Sequence, residues 1–223
     1  MKPLKKALNH GGTQRRRDRS EAKRKHVQIA TVDPDTGCPS CRTVVFRGFL
    51  PAKFAGGDSC CLMFITDDRS AKYRHLSRTD GTLAPMEACW WLDEAGVQFR
   101  VAGHAVLATS RSEDALLRSA VEDVWSRLGS SSRRTFSWPC PGAPKTADAA
   151  GASGTGEDDE PSLDDSHFVL VLLVPHSVDE LHLGGKQRRV LYRRDEAAET
   201  STARDALAST TSDVHWTEDA VNP

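Results

Sequence analysis

The chain has 223 residues, 38% of them hydrophobic and 27% charged, which suits one domain with a real core plus polar appendages. Its 30 basic and 31 acidic residues almost balance, but residues 1–26 hold ten Lys/Arg against two Asp/Glu, so a local charge of +8 faces −9 on the remainder. No run approaches the ~20 apolar residues of a membrane helix, and no apolar stretch follows the basic start as a secretory signal needs.

Residues 1–25 lack apolar periodicity and read as a basic disordered arm. Such an arm could serve as a solvated tail, a nuclear or organelle address, or a nucleic-acid contact. No aromatic residues interleave its charges, so nucleic acid is the weakest of these readings. The expectation is a soluble, cytoplasmic protein with no membrane contact.

HVQIATVD (26–33) alternates and runs into a Pro-Asp-Thr-Gly turn, and CRTVVFRGFL (41–50) is rich in β-branched residues, so 26–50 reads as a hairpin. SCCLMFIT (59–66) is the next strand. DRSAKYRHLSR (68–78) reads as a helix, with Asp67 or Asp68 as N-cap and Ala71, His75 and Leu76 near one face. PMEACWWL (85–92) and VQFRVAGHAVLAT (97–109) form a second hairpin. From Ser112 to Leu128 the period changes, with Leu116, Leu117, Ala120, Val124 and Leu128 on one helical face.

Residues 145–166 are acidic and Gly/Ser-rich, and read as a flexible insertion. HFVLVLLVP (167–175), SVDELHL (177–183) and RRVLYRRD (188–195) restore order. Residues 196–213 read as polar and loose. About eight short strands with hairpin connections and two helices predict a mainly β (α+β) domain over 26–223, an antiparallel barrel with helices at its margins.

The six cysteines include Cys38-Pro-Ser-Cys41, a lone CxxC without a second pair or a helix N-terminus, so they read as structural or incidental thiols. Cys60, Cys61 and Cys89 lie in apolar runs and fit small core positions. The histidines lack ligand spacing, and no metal is expected.

RTVVFRGF (42–49) and ITDDRSAK (65–72) carry the chemistry. The first places a cation at each end of an apolar strand. The second breaks a strand into hydroxyls, cations and a helix start, where unpaired N–H groups favour an anion. Together they predict a phosphate-bearing cofactor at the end of a small barrel.

These two segments, with ACWW (88–91), QFRVAGHA (98–105), FSWPCPG (136–142), RRVLY (188–192) and VNP (221–223), resemble in order and kind the pyridoxamine 5′-phosphate oxidase-like FMN-binding split barrels, in particular their cyanobacterial, fungal and plant branch. The resemblance implies a split barrel that dimerises with FMN at the interface. By position, Arg42, Thr43, Val44 and Val45 match the strand beside the flavin. Thr66, Ser70 and Lys72 match the phosphate turn, and Gln98 and Arg189 match residues at the flavin ring.

Arg47 matches a residue facing cofactor and substrate, and Arg127 and Ser131 are looser matches to the substrate-phosphate cluster. No residue stands out as an obligatory acid or base. The implied activity is that of an FMN-dependent oxidoreductase acting on pyridoxamine or pyridoxine 5′-phosphate or a related small substrate, within vitamin B6 metabolism. The alternative is an FMN-binding module or flavin reductase without that oxidase activity. The chain departs from the family at Ala71, where an arginine is usual, and Arg69 is the neighbour that could replace its charge.

Overall fold

In the computed structural model, residues 5, 25–79, 82–144, 160–194, 203–208, 210 and 215–223 are described. Strands β1 (His26–Val32) and β2 (Pro39–Val45) form the first hairpin, pairing from His26 opposite Val45 to Val32 opposite Pro39. The turn closes through Gly37 N–H donating to the Asp33 carbonyl at 2.9 Å, with Gly37 at φ 70°. After β3 (Gly48–Phe49) and the short α1 (Ala52–Ala55), β4 (Leu62–Asp67) leads into α2 (Ala71–Leu76).

β5 (Ala84–Leu92) and β6 (Val97–Ala108) form the second hairpin across a 3-10 turn. The helices α3 (Ala115–Ser126) and α4 (Ser130–Arg134) precede β7 (Phe168–His182), β8 (Arg188–Arg194), α5 (Ala203–Ala208) and β9 (Trp216–Val221). All pairings are antiparallel. The order is β2-β1-β5-β6-β7-β4-β3, with β8 on β7 and β9 on β8.

One strand organises this curled half-barrel. The first part of β7 pairs with β4 and its last part with β8, while β6 follows its other edge throughout. The sequence suggests two strands here, split near Pro175. The structure instead runs one strand through, with a bulge opposite Ala102/Gly103. Gly103 is required there, because a Cβ would sit 2.0 Å from the Val174 carbonyl oxygen.

Two apolar clusters explain the continuous run FVLVLLV. Val171 and Leu173 face the barrel interior with Ile29, Phe64, Met86, Trp90, Phe99 and Val101. Leu170 and Leu172 face the opposite way, under Leu117, Val121, Val124 and Trp125 of α3. Trp90 is fully buried and meets Phe46 edge-on at 4.7 Å between centroids. Burying one such side chain stabilises the fold by about 1.5–3 kcal/mol.

Several local expectations are corrected. β4 begins at Leu62 rather than Ser59, because the Cys60 N–H donates to Thr210 rather than to a strand. The N-cap of α2 is Ser70, whose Oγ accepts from Tyr73 N–H at 3.3 Å, while Asp67 is held by Arg69. Ala71 is exposed, and His75 and Leu76 form the buried face.

Within 196–213, α5 buries Ala206 and Leu207 in the outer cluster, so that part is packed rather than loose. Most of the basic arm and residues 145–159 of the acidic insertion lie outside the described residues. At the insertion's described end, Glu160 pairs with Arg133. All six cysteines are free; burial raises the Cys60 and Cys61 thiols above their ordinary pKa, whereas Cys89 is only half-buried.

Candidate cofactor site

Period-2 alternation decides which side chains meet at the barrel mouth. Leu62 and Phe64 point inward from β4, and Thr66 continues that face to the strand end. There the chain turns, and Ser70 opens α2. Thr66 Oγ1 and Ser70 Oγ lie 2.9 Å apart, and Lys72 Nζ donates to Thr66 Oγ1 at 2.9 Å. Thr66 and Ser70 are both buried.

Arg42 comes to this cluster from β2. It shares the inward face with Val44, while Cys41 and Thr43 point outward. Its Nη1 donates to Thr31 Oγ1 at 2.7 Å and to the Ser40 carbonyl at 3.0 Å, and its Nη2 donates to Ser40 Oγ at 2.7 Å. These bonds employ three of the five guanidinium N–H groups. They leave Nε–H and one Nη2–H, the fork that suits an oxyanion.

The electrostatics agree. Burial lowers the Lys72 ammonium below its ordinary pKa, and the nearby Arg42 lowers it further. Burial also lowers Arg42. Among the described residues, neither makes an ion pair with a carboxylate. Two part-buried cations and two buried hydroxyls, with the Asp67 charge acting on Lys72 only from beyond ion-pair distance, make a site that fits a phosphate group.

Arg69 does not supply the charge that Ala71 lacks. Its Nε and Nη2 bind the two Asp67 oxygens at 3.0 and 2.7 Å, and Nη2 also donates to the Trp138 carbonyl. Arg47 lies just past β2, half-buried; its Nε is buried without a hydrogen-bond partner, and burial lowers its pKa. Val45 is half-buried, and Thr43 is exposed and accepts a long 3.4 Å bond from Gln28.

Gln98 and Arg189 occupy a different face. They are opposite Leu181 from either side, Gln98 on β6 and Arg189 on β8. Val97, Phe99 and Val101 fill the interior, so Gln98 and Arg100 point outward. On that outer face Asp179 accepts from Arg189 Nε at 3.0 Å, Arg189 Nη2 at 2.8 Å and Arg100 Nη2 at 2.9 Å. These cations hold the Asp179 carboxyl below its usual range against the opposing effect of burial. Arg100, Asp179 and Arg189 line a shallow pocket of about 220 Å³ with Glu87, Tyr192 and Arg193.

One chain therefore unites Arg42, Thr66, Ser70 and Lys72 and leaves Gln98 and Arg189 on the other side of the sheet. Arg127 is exposed at the end of α3 and bound to Asp123, which also holds Lys53; Ser131 is exposed on α4. These two do not join the cluster. Asp67, Asp68 and His167 bring possible metal-ligand atoms within 4.8 Å of one another, with Asp67 already engaged by Arg69.

Sequence reasoning missed Thr31, Ser40 and His75. Thr31 carried a signal, because it follows Val27 and Ile29 on the inward face of β1 as a polar residue in an apolar row.

Comparison with known proteins identifies the family and the fold. Residues 1–109 match the family model described as pyridoxamine 5′-phosphate oxidase, FMN-binding domain. A pyridoxine/pyridoxamine 5′-phosphate oxidase 2 of Arabidopsis thaliana is 29% identical over 198 residues, 89% of this chain and 87% of that protein. The crystal structure of a pyridoxamine 5′-phosphate oxidase-related, FMN-binding protein of Nostoc punctiforme superposes with a TM-score of 0.74 at 32% identity, covering 100% of this chain and 96% of that one.

PhzG of Burkholderia lata, solved with tetrahydrophenazine-1-carboxylic acid, shares the fold at 20% identity and a TM-score of 0.60, over 93% of this chain and 87% of its own. FMN, the cofactor anticipated from the sequence, is the cofactor of the matched domain. The chain belongs to the pyridoxamine 5′-phosphate oxidase-like family of FMN-binding split barrels.

Proposed function

We propose that this protein is a homodimeric FMN-dependent oxidoreductase acting on a small anionic substrate of the pyridoxamine 5′-phosphate class. The observation that carries the reading is the pair Arg42 and Lys72, neither in a carboxylate ion pair among the described residues, beside the Thr66 and Ser70 hydroxyls. These groups would hold the cofactor phosphate, with Lys72 as a point charge and Arg42 as a fork. FMN, once bound, supplies two-electron redox chemistry.

The chain's residues position and polarise. Val44 and Val45 would border the flavin, with Thr43 on the same strand, and Arg47 would present its unpartnered Nε–H to the cofactor or substrate. Gln98 and Arg189 would supply donors at the polar edge of the ring, where negative charge grows on reduction. Because they lie on the face opposite Arg42, a single site is best completed by two subunits, with Gln98 and Arg189 from the second. Trp91 and Leu183, 43% and 49% exposed, give the subunit surface apolar area for such a contact.

A second reading, an FMN-binding module or flavin reductase, draws on the substrate side. Arg127 is tied to Asp123, and Ser131 is exposed. A substrate-phosphate cluster built from them would have to come from a rearrangement.

The test is an absorbance spectrum of purified protein titrated with FMN, then mixed anaerobically with pyridoxamine 5′-phosphate. Bleaching of the bound flavin that reverses on admitting air supports the oxidase. Bound flavin that stays oxidised selects the second reading, and absence of FMN binding refutes both. Sedimentation of the loaded protein reads the dimer directly.

A further inference from the structure

Behind Arg42 lies a buried polar chain that the cofactor site as described does not use. Thr31 is 1% exposed and His75 is 4% exposed. Thr31 Oγ1 receives Arg42 Nη1–H at 2.7 Å and lies 3.0 Å from His75 Nδ1. His75 Nε2 lies 3.5 Å from Asp33 Oδ2, and Asp33 is itself held by the Asp35 N–H at 3.0 Å and by Arg74 at 3.0 Å.

The donor inventory fixes one step of this chain, and the Asp33 carboxylate favours a direction for the rest. A guanidinium only donates, so Thr31 Oγ1 accepts from Arg42. The second Oγ1 lone pair would also suit a protonated Nδ1, but a neutral ring with its proton on Nε2 turns that proton toward the Asp33 carboxylate and leaves Nδ1 to accept the Thr31 hydroxyl proton. Nδ1 accepts only when it carries no proton, as in this tautomer. The Thr31 proton thus points away from Arg42, and a full lone pair faces the guanidinium. The chain crosses from β1 to α2, the helix that also carries Lys72.

We propose that Thr31 and His75 are positioning residues for the cofactor phosphate. They lock the Nη1 side of Arg42 so that its Nε–Nη2 edge is presented beside Lys72, and they tie β2 through β1 to α2. The inference rests on the phosphate-site reading given under the proposed function. It predicts a penalty specific to the phosphate rather than to the flavin ring.

The experiment measures dissociation constants for FMN and for riboflavin, which lacks the phosphate, by quenching of flavin fluorescence on the full chain. Thr31→Val and His75→Leu are expected to weaken FMN about tenfold or more, as losing a hydrogen bond to a charged group does. Riboflavin should change less than about twofold, within ordinary scatter for a remote site. Thr31→Ser and His75→Asn, which keep a hydroxyl and an acceptor near Nδ1, should restore FMN binding to within a few-fold.

Equal loss for both flavins, or failure of Thr31→Ser to rescue, would overturn the positioning role alone. A wild-type protein that binds FMN no better than riboflavin would overturn the phosphate site and this inference with it. The nitrogen chemical shifts of the His75 ring in the wild-type protein provide a check independent of variant folding. An unprotonated Nδ1 with a protonated Nε2 is expected, and a proton on Nδ1 would overturn the proposal.

Discussion

The two faces of the β-sheet treat their arginines in opposite ways. On the outer face, Asp179 takes three hydrogen bonds from Arg189 and Arg100, and Glu87 lies 3.9 Å from Arg100, so two cations face two carboxylates within the chain. At the barrel mouth, Arg42 and Lys72 sit together with hydroxyls and carbonyls but, among the described residues, no paired carboxylate. The first arrangement stabilises the protein, while the second leaves like charges close together at a cost in stability that a bound phosphate would offset under the function proposed above. Polar groups whose mutual repulsion is left standing mark where binding energy can be gained.

The sharpest way to break this contrast is to remove one of the two like charges. Lys72→Met is expected to weaken FMN about 10- to 100-fold, from loss of a charge-assisted contact, while raising the melting temperature of the cofactor-free protein. The pH dependence follows. The folded-state pKa of Lys72 is depressed, so the unfolded chain binds more protons between that value and the ordinary lysine value of 10.5. Stability of the cofactor-free wild type should therefore rise with pH across that alkaline window relative to Lys72→Met, which lacks the group. Calorimetry at several pH values checks both signs.

The balanced face should respond oppositely. Asp179→Asn is expected to cost about 1–2 kcal/mol of stability, since it strands two part-exposed arginines, with FMN phosphate binding unaffected within one chain. Its carboxyl pKa is lowered in the folded state, so its contribution is present above the unfolded value and disappears as pH falls through the folded value. Urea unfolding at neutral and acid pH should show wild type and variant converging under acid.

A smaller effect sharpens the comparison. Ala71→Arg adds a cation at an exposed helix start and should tighten FMN a few-fold, with riboflavin unchanged, because one partly solvated charge contributes about 0.2–1 kcal/mol. The smallest expected change is Arg69→Ala. Because Arg69 is bound to Asp67 and the Trp138 carbonyl rather than turned toward the phosphate, FMN affinity should stay within about twofold, the size of a partly exposed ion pair's contribution. A large loss there would mean that Arg69 turns toward the phosphate.

The hairpins were legible because alternation and turn residues are local signals, although the strand expected over 41–50 stops at Val45 and Gly48–Phe49 pairs with β4 instead. The strand-to-helix turn proposed to hold the phosphate was legible as local structure for the same reason. Thr66, Ser70 and Lys72 lie within seven residues, and a strand ending in a capped helix converges its own side chains. What escaped reading was longer-range. Whether FVLVLLV and SVDELHL form one strand or two depends on the bulge against Gly103, a contact between residues about seventy apart. The packing of α5 depends likewise on the outer cluster, since its six residues have too little surface to declare a buried face alone.

By itself the sequence determined the strand periods, the family and the cofactor class, because each is written in short segments. Only the tertiary structure decided which cations are free to act. Arg69 and Arg189 look as available as Arg42 in one dimension, yet folding gives the first two a carboxylate and leaves Arg42 with neutral acceptors. Charge compensation depends on distances between separate strands and helices, and those distances exist only once the sheet has curled.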